Sequence, residues 1–88
     1  MQTPFFRDIN ALKKFLNNNF KKGQSPSAIE SKLDFYQIEH SHVVKNILYA
    51  SLPAPNEWLL FKTKWLIQFY FVENVYGHYT VERGRIGL

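Results

Sequence analysis

The sequence predicts an α+β fold in which three N-terminal helices are followed by a C-terminal β-hairpin. Apolar residues recur every three or four positions between Phe5 and Phe20, prolines interrupt the chain at "SLPAPNE", and residues 61–72 alternate with period two. The chain has 88 residues, of which 45% are hydrophobic and 17% aromatic, enough for a packed interior. We therefore expect residues 1–88 to form a single small domain.

The first helix is predicted over residues 4–22. Thr3 is a suitable N-cap, and Pro4 occupies the first helical position, where its missing N–H costs little. Gly23 follows two lysines and provides a C-terminal stop. The apolar stripe of this helix comprises Phe5, Ile9, Leu12, Leu16 and Phe20.

Two further helices are predicted before the prolines. The second is capped by Ser25, opens with Pro26 and ends near Leu33. The third lies within "FYQIEHSHVVKNILYASL" and begins either directly after Asp34 or later, at Ser41. Its apolar stripe comprises Ile38, Val44, Ile47, Leu48 and Leu52.

The last third of the chain allows two interpretations. "PNEWLLF" resembles a helix start, which would give an all-α fold with a long C-terminal helix. A helical wheel, however, scatters the polar residues of this segment, whereas period two separates them from the apolar ones. We therefore predict a strand over residues 61–72, a turn near "ENVYG" and a second strand within "HYTVERGRI". The predicted apolar strand face comprises Phe61, Thr63, Trp65, Ile67, Phe69 and Phe71.

The positive charge is concentrated near the N-terminus. The net charge is +4, and residues 1–24 contain five basic residues against Asp8 alone. From residue 25 onward, six basic residues are balanced by six acidic ones. A localised positive field favours an anionic partner more than evenly spread charge does.

Lysines and asparagines share the half of the first predicted helix that lies opposite its apolar stripe. Lysine suits phosphate as a mobile point charge, and asparagine amides donate to phosphates or base edges. The alternative interpretation is a polar face that only contacts water, as on any amphipathic helix. The candidate nucleic-acid-binding residues on this face are Lys13, Lys14, Asn17, Asn18, Lys21 and Lys22.

The predicted element order is also that of a winged helix-turn-helix, a DNA-binding plan. In that arrangement Lys45 would lie on the recognition helix, and Arg83 and Arg85 on the second strand of the hairpin. This is an analogy of architecture and not a family match.

These observations predict a small non-enzymatic module that binds DNA or RNA or acts in regulation. The alternative is a protein–protein adaptor or inhibitor, because the five tyrosines exceed what a small core needs and suit an interface. Such a protein would meet an acidic protein surface, form a homodimer or belong to a larger assembly.

Several classes of site and location are not expected. The chain has no cysteine, and His40 and His42 would point to different sides of a helix, so we predict no metal or cofactor. No catalytic constellation stands out, so we do not expect an enzyme.

The segment "MQTPFFRDIN" lacks the apolar core of a secretory signal, and "WLIQFYFV" is too short to span a bilayer. We therefore expect a cytoplasmic protein without membrane association.

Overall fold

Within the part of the chain that the structure describes, two helices and a four-stranded antiparallel sheet make up the fold. The computed structural model describes residues 3–55 and 61–87, except for the side chains of residues 61 and 85–87. Its strands follow each other in the order β1-β2-β3-β4 across one sheet. The α+β class is confirmed, whereas the three-helix, winged-helix-like order and the all-α alternative are both wrong. The elements are α1 (Ile9–Asn19), α2 (Pro26–Phe35), β1 (Glu39–His40), β2 (Ile47–Pro53), β3 (Phe61–Val72) and β4 (Val75–Gly87).

Helix α1 begins later than predicted because a different residue caps it. The carboxylate of Asp8 accepts a hydrogen bond from the Ala11 N–H at 2.8 Å, which satisfies one of the free amides of the first turn. The hydroxyl of Thr3, predicted to be the cap, instead donates to the backbone oxygen of Gln37 at 2.6 Å. Residues 4–8 therefore precede the helix.

Helix α1 also ends earlier than predicted. Its last three residues are asparagines, which are weak helix formers. Phe20 follows in an extended conformation and buries its ring against Phe69, with 5.0 Å between the ring centroids. Lys21 and Lys22 consequently lie in the loop after the helix and not on its face.

The predicted second helix, with Ser25 as its N-cap, is confirmed as α2. The Ser25 hydroxyl accepts a hydrogen bond from the Ala28 N–H at 3.2 Å, and Pro26 is the first helical residue. The helix continues to Phe35, two residues past the predicted end at Leu33.

The third predicted helix is wrong, because Phe35 ends α2 and residues 39–52 form β1, most of β2 and the connection between them. Lys45 and Asn46 have φ angles of 52° and 68°, and a bridge between Val44 and Ile47 closes this two-residue turn. Such left-handed turns match the twist of paired strands. In β2, Leu48, Ala50 and Leu52 are buried while the residues between them are more exposed.

The C-terminal hairpin confirms the period-two interpretation. Strand β3 has the predicted bounds, Phe61–Val72, and its residues Thr63, Trp65, Ile67, Phe69 and Phe71 are buried. Glu73 and Asn74 form the turn, with φ angles of 51° and 65°. Strand β4 begins at Val75, three residues before the predicted second strand. The Phe61 side chain and the competing helix start at residues 56–60 lie outside the described part of the chain.

The core lies between the helices and one face of the sheet. Its fully buried large side chains are Leu12, Leu16, Ile29, Leu33, Leu48, Leu52, Ile67 and Phe69. The loop between the helices is held against β4 by two backbone hydrogen bonds. The Gly23 N–H donates to the Tyr76 oxygen, and the Tyr76 N–H donates to the Gln24 oxygen, both at 2.8 Å.

His40 connects α2 to β1 and makes stability depend on pH. The His40 side chain is 10% exposed, and its nitrogens lie 2.7 Å from the Asp34 carboxylate and 2.7 Å from the Ser41 carbonyl oxygen. Burial lowers the pKa of His40, but the hydrogen bonds to Ser41 and Asp34, with the nearby Asp34 and Glu30 charges, raise it above 6.5 overall.

We therefore expect His40 to stabilise the fold most below pH 6.5, with this contribution lost as the pH rises through the raised pKa of the folded state. In urea unfolding measured across this range, His40→Gln should be destabilised at low pH and approach the wild type at high pH. His42→Gln is the matched control, because the His42 side chain is 91% exposed and its pair with Glu30 should contribute little. Equal pH dependence in the wild type and His40→Gln would contradict this assignment.

Candidate functional site

A hollow of about 370 Å³ lies between the end of α1 and the start of β4. We call it the basic hollow. Phe20 and Tyr76 are buried at its base, while Lys21 and Lys22 are exposed at its rim. The lining residues are Asn17, Phe20, Lys21, Lys22, Tyr76, Gly77, His78 and Tyr79.

A β-bulge shapes the strand side of the basic hollow. The register between β3 and β4 shifts between Tyr70 and Phe71, so Gly77 is an extra residue in β4. Without this shift, Tyr76 and Tyr79 would point to opposite faces of the sheet, because they are three residues apart. With it, both side chains pack toward the helices.

The imidazole of His78 is directed away from the helices. It stacks on the Tyr70 ring with 4.6 Å between the ring centroids and 5° between the planes. The register pairs His78 with Tyr70 on the sheet face opposite the core. The described cationic side chains of the basic hollow are therefore those of Lys21 and Lys22.

Tyr79 and Asn17 join β4 to α1 at the edge of the basic hollow. The Tyr79 hydroxyl donates to Asn17 Oδ1 at 2.9 Å. Burial raises the pKa of Tyr79, outweighing the opposite effect of the Asn17 hydrogen bond, so the hydroxyl remains a protonated donor at neutral pH. Because the amide oxygen is occupied as an acceptor, the Asn17 NH₂ group remains as a donor for a ligand.

Lys21 adds an ammonium group next to that amide. Its Nζ donates to the backbone oxygen of Asn17 at 2.9 Å, which satisfies a carbonyl in the last turn of α1. An ammonium has three N–H donors, so two remain for other acceptors. The basic hollow thus combines cationic and amide N–H donors, a combination that suits the oxygens of a phosphate.

The other predicted residues of α1 continue this surface. The Lys13 backbone oxygen lies 3.4 Å from the Tyr79 hydroxyl, which places this turn of α1 beside β4. Lys14 and Asn18 directly follow Lys13 and Asn17 in the helix, and both side chains are exposed. The ion pairs in the described part of the chain join His40 to Asp34, His42 to Glu30 and Lys64 to Glu39, and include none of Lys13, Lys14, Lys21 and Lys22.

Lys45 and Arg83 lie outside the basic hollow. Lys45 is in the turn before β2 and not on a recognition helix. The Arg83 guanidinium lies 5.4 Å from the centre of the Trp65 ring and donates to the Pro55 oxygen at 2.8 Å, so it has a packing role. The Arg85 side chain lies outside the described residues.

Neither the bulge at Gly77 nor Tyr79 is among the site residues that the sequence predicts. Gly77 interrupts the alternation at the start of β4, which is the sequence signal of a bulge. The bulge can be recognised only if Gly77 is placed inside the strand. The predicted strand begins at His78, after this glycine, so the sequence does not predict a bulge here. The contact between Tyr79 and Asn17 joins residues 62 positions apart and has no local signal.

Comparison with family models, curated proteins and solved structures gives no match to this chain. Within residues 3–55 and 61–87, no helix is long and apolar enough to cross a membrane. In the same residues, no three His, Asp or Glu side chains come together as metal ligands would.

Proposed function

We propose that this protein is a small non-enzymatic module, regulatory in role, that binds DNA or RNA through phosphate contacts. The observation that carries this proposal is the grouping of Lys21, Lys22 and Asn17 around the basic hollow. Lys13 and Lys14 extend the positive surface along α1. The proposal includes the cytoplasmic location expected from the sequence, which cell fractionation would test.

The length of this surface supports contact with several phosphates. Helix α1 has 11 residues. At a rise of 1.5 Å per residue it is about 16 Å long, several times the axial spacing of about 3.4 Å between phosphates of one duplex strand. Lys13 near its middle and Lys21 beyond its end can therefore meet different phosphates of the same strand.

Release of condensed counterions would supply most of the binding free energy. Four lysine–phosphate contacts predict a slope of log affinity against log salt of about −3.6 for duplex DNA and about −2.8 for single strands. Affinity for duplex should then fall on the order of 100-fold between about 50 and 200 mM salt. Fluorescence anisotropy with duplex and single-stranded DNA and RNA across a salt series tests this. Absent binding at low salt, or a flat salt dependence, contradicts the proposal.

Tyr79→Phe tests the contribution of the oriented amide. Removing the hydroxyl frees the Asn17 side chain from its 2.9 Å hydrogen bond, so its NH₂ group is no longer held toward the ligand. We expect nucleic-acid affinity to fall about 2- to 10-fold, the range of one net hydrogen bond. Anisotropy titration measures this.

Tyr36→Phe is the matched control, because the Tyr36 hydroxyl donates to Asn19 Oδ1 at 3.0 Å, and neither residue lines the basic hollow. Equal losses in the Tyr79→Phe and Tyr36→Phe variants would contradict a specific role for Tyr79.

The second candidate is an adaptor, supported by the sheet face opposite the helices. A depression of about 550 Å³ lies there between β1 and β4. Leu66 and Tyr49 line it and are 36% and 48% exposed. Apolar side chains displayed in this way suit a protein partner, and the lysines would steer the protein onto an acidic surface or into a larger assembly. Size exclusion with light scattering would reveal a homodimer, and a dimer without nucleic-acid affinity would favour this function.

A further inference from the structure

Strand β4 forms one edge of the sheet. It spans Val75–Gly87 and pairs with β3 on its inner side. On its outer side, two backbone hydrogen bonds join Tyr76 to Gly23 and Gln24. Near its start, at Tyr76, the edge of β4 therefore already exchanges a pair of backbone hydrogen bonds with another segment of the chain.

The backbone groups that face outward beyond Tyr76 follow from the pairing pattern. The Phe71 N–H donates to Asn46, on the β2 side of β3. Every second residue of β3 faces the same neighbouring strand, so Phe69 also directs its N–H and C=O groups toward β2. Phe69 lies opposite Tyr79 in the pairing of β3 with β4. In an antiparallel pair of this kind, the opposite residue directs its own groups away from β3. The outward-facing backbone groups therefore belong to alternate residues of β4, among them Tyr79 and Val81.

The two sides of this edge differ in charge. On the helix side, the turn of α1 that carries Lys13 and Asn17 contacts Tyr79, and Lys21 borders the first residues of β4. On the other side, Thr80 and Glu82 are exposed. A strand added here would thus meet positive side chains on the helix side and a carboxylate on the other.

We propose that the β4 edge docks an extended, acidic segment of a partner protein as an additional antiparallel strand. Main-chain hydrogen bonds to Tyr79 and Val81 provide the attachment, and acidic side chains on the helix side meet Lys13 and Lys21. Side chains that alternate with these face Thr80 and Glu82, where neutral polar residues fit best. This interaction does not depend on nucleic-acid binding, but it uses the same lysines, so the two ligands should exclude each other.

The test uses a short capped peptide of alternating threonine and glutamate with the isotope-labelled full chain. Glutamates that face the lysines direct their own N–H groups toward β4, whereas the threonine N–H groups point to solvent. We expect N-methylation of the backbone amides of the glutamate residues to weaken peptide binding about tenfold or more, because several backbone hydrogen bonds to β4 are lost. Methylation of the threonine nitrogens should leave affinity nearly unchanged. Amide exchange of Tyr79 and Val81 should slow when the unmodified peptide is added.

Several outcomes would overturn the proposal. Equal affinity of all three peptides would show attraction by charge alone, without strand addition. Slow exchange of the Tyr79 and Val81 amides in a free chain that light scattering finds dimeric would assign the edge to a second copy. Protection of these amides by a single-stranded oligonucleotide and not by the peptide would assign the edge to nucleic acid. Loss of nucleic-acid binding in the salt series, by contrast, would leave this proposal standing.

Discussion

Replacing Lys13, Lys14, Lys21 and Lys22 with serine is expected to remove most of the salt-dependent affinity for nucleic acid. These lysines are exposed and take part in none of the ion pairs of the described residues. If each contacts one phosphate, the slope of log affinity against log salt should become about 3.6 units less negative on duplex DNA. At low salt the loss should be on the order of 100-fold or more. Anisotropy titrations of both proteins across the salt series measure the difference.

Two double variants test whether nucleic-acid affinity depends on where the lysines lie or only on the net charge of the protein. Lys21→Ser with Lys22→Ser removes two charges at the basic hollow. Lys32→Ser with Lys62→Ser removes the same charge from α2 and from β3. We expect the first pair to lower affinity far more than the second. Similar losses would show that net charge alone attracts the nucleic acid, and circular dichroism would verify that all variants are folded.

Replacing Phe69 with alanine is expected to have the largest effect on stability. The Phe69 ring is completely buried and lies 5.0 Å from the Phe20 ring and 5.7 Å from the Tyr76 ring, measured between centroids. Truncating a buried phenylalanine costs about 3–5 kcal/mol in transfer free energy and cavity formation. That is a large part of the roughly 5–15 kcal/mol by which small domains are stable. Urea unfolding followed by tryptophan fluorescence would measure it.

Tyr49→Ala is the surface control, because Tyr49 is on the opposite face of the sheet and about half exposed. We expect its cost to stay near or below about 1 kcal/mol. Phe69→Leu retains most of the buried volume and should cost less than Phe69→Ala. An alanine variant at position 69 as stable as the wild type would contradict the assigned core. Because Phe20 and Tyr76 also form the base of the basic hollow, destabilised variants should lose nucleic-acid affinity as well.

The elements predicted correctly have strong local signals. Strand β3 alternates buried and more exposed residues along most of its length, and this pattern is present in the sequence alone. Helix α2 has a serine cap followed by proline, and both act within one turn. The local sequence was sufficient to predict these two elements, because tertiary contacts favour the same secondary structure as the local pattern.

The elements predicted incorrectly depend on contacts between distant residues. Apolar spacing in residues 38–52 fits a helix about as well as it fits a strand. Pairing of Leu48 with Phe69 and the left-handed turn at Lys45 and Asn46 decide for the sheet. Helix α1 ends early because Phe20 leaves it to pack on Phe69. Burial of apolar area across the sheet outweighs the modest helix propensity of these segments.

The excess of lysine in the first quarter of the chain is a property of the sequence, and it predicts an anionic partner without any knowledge of the fold. The place where those lysines are displayed depends on the folded chain. Gly23 and Gln24 bond to Tyr76, and Tyr79 bonds to Asn17, which brings the end of α1 against β4 across more than 50 residues of sequence. The basic hollow depends on backbone hydrogen bonds and ring packing between segments that are distant in sequence, so the local signal of the bulge at Gly77 could not by itself have revealed it.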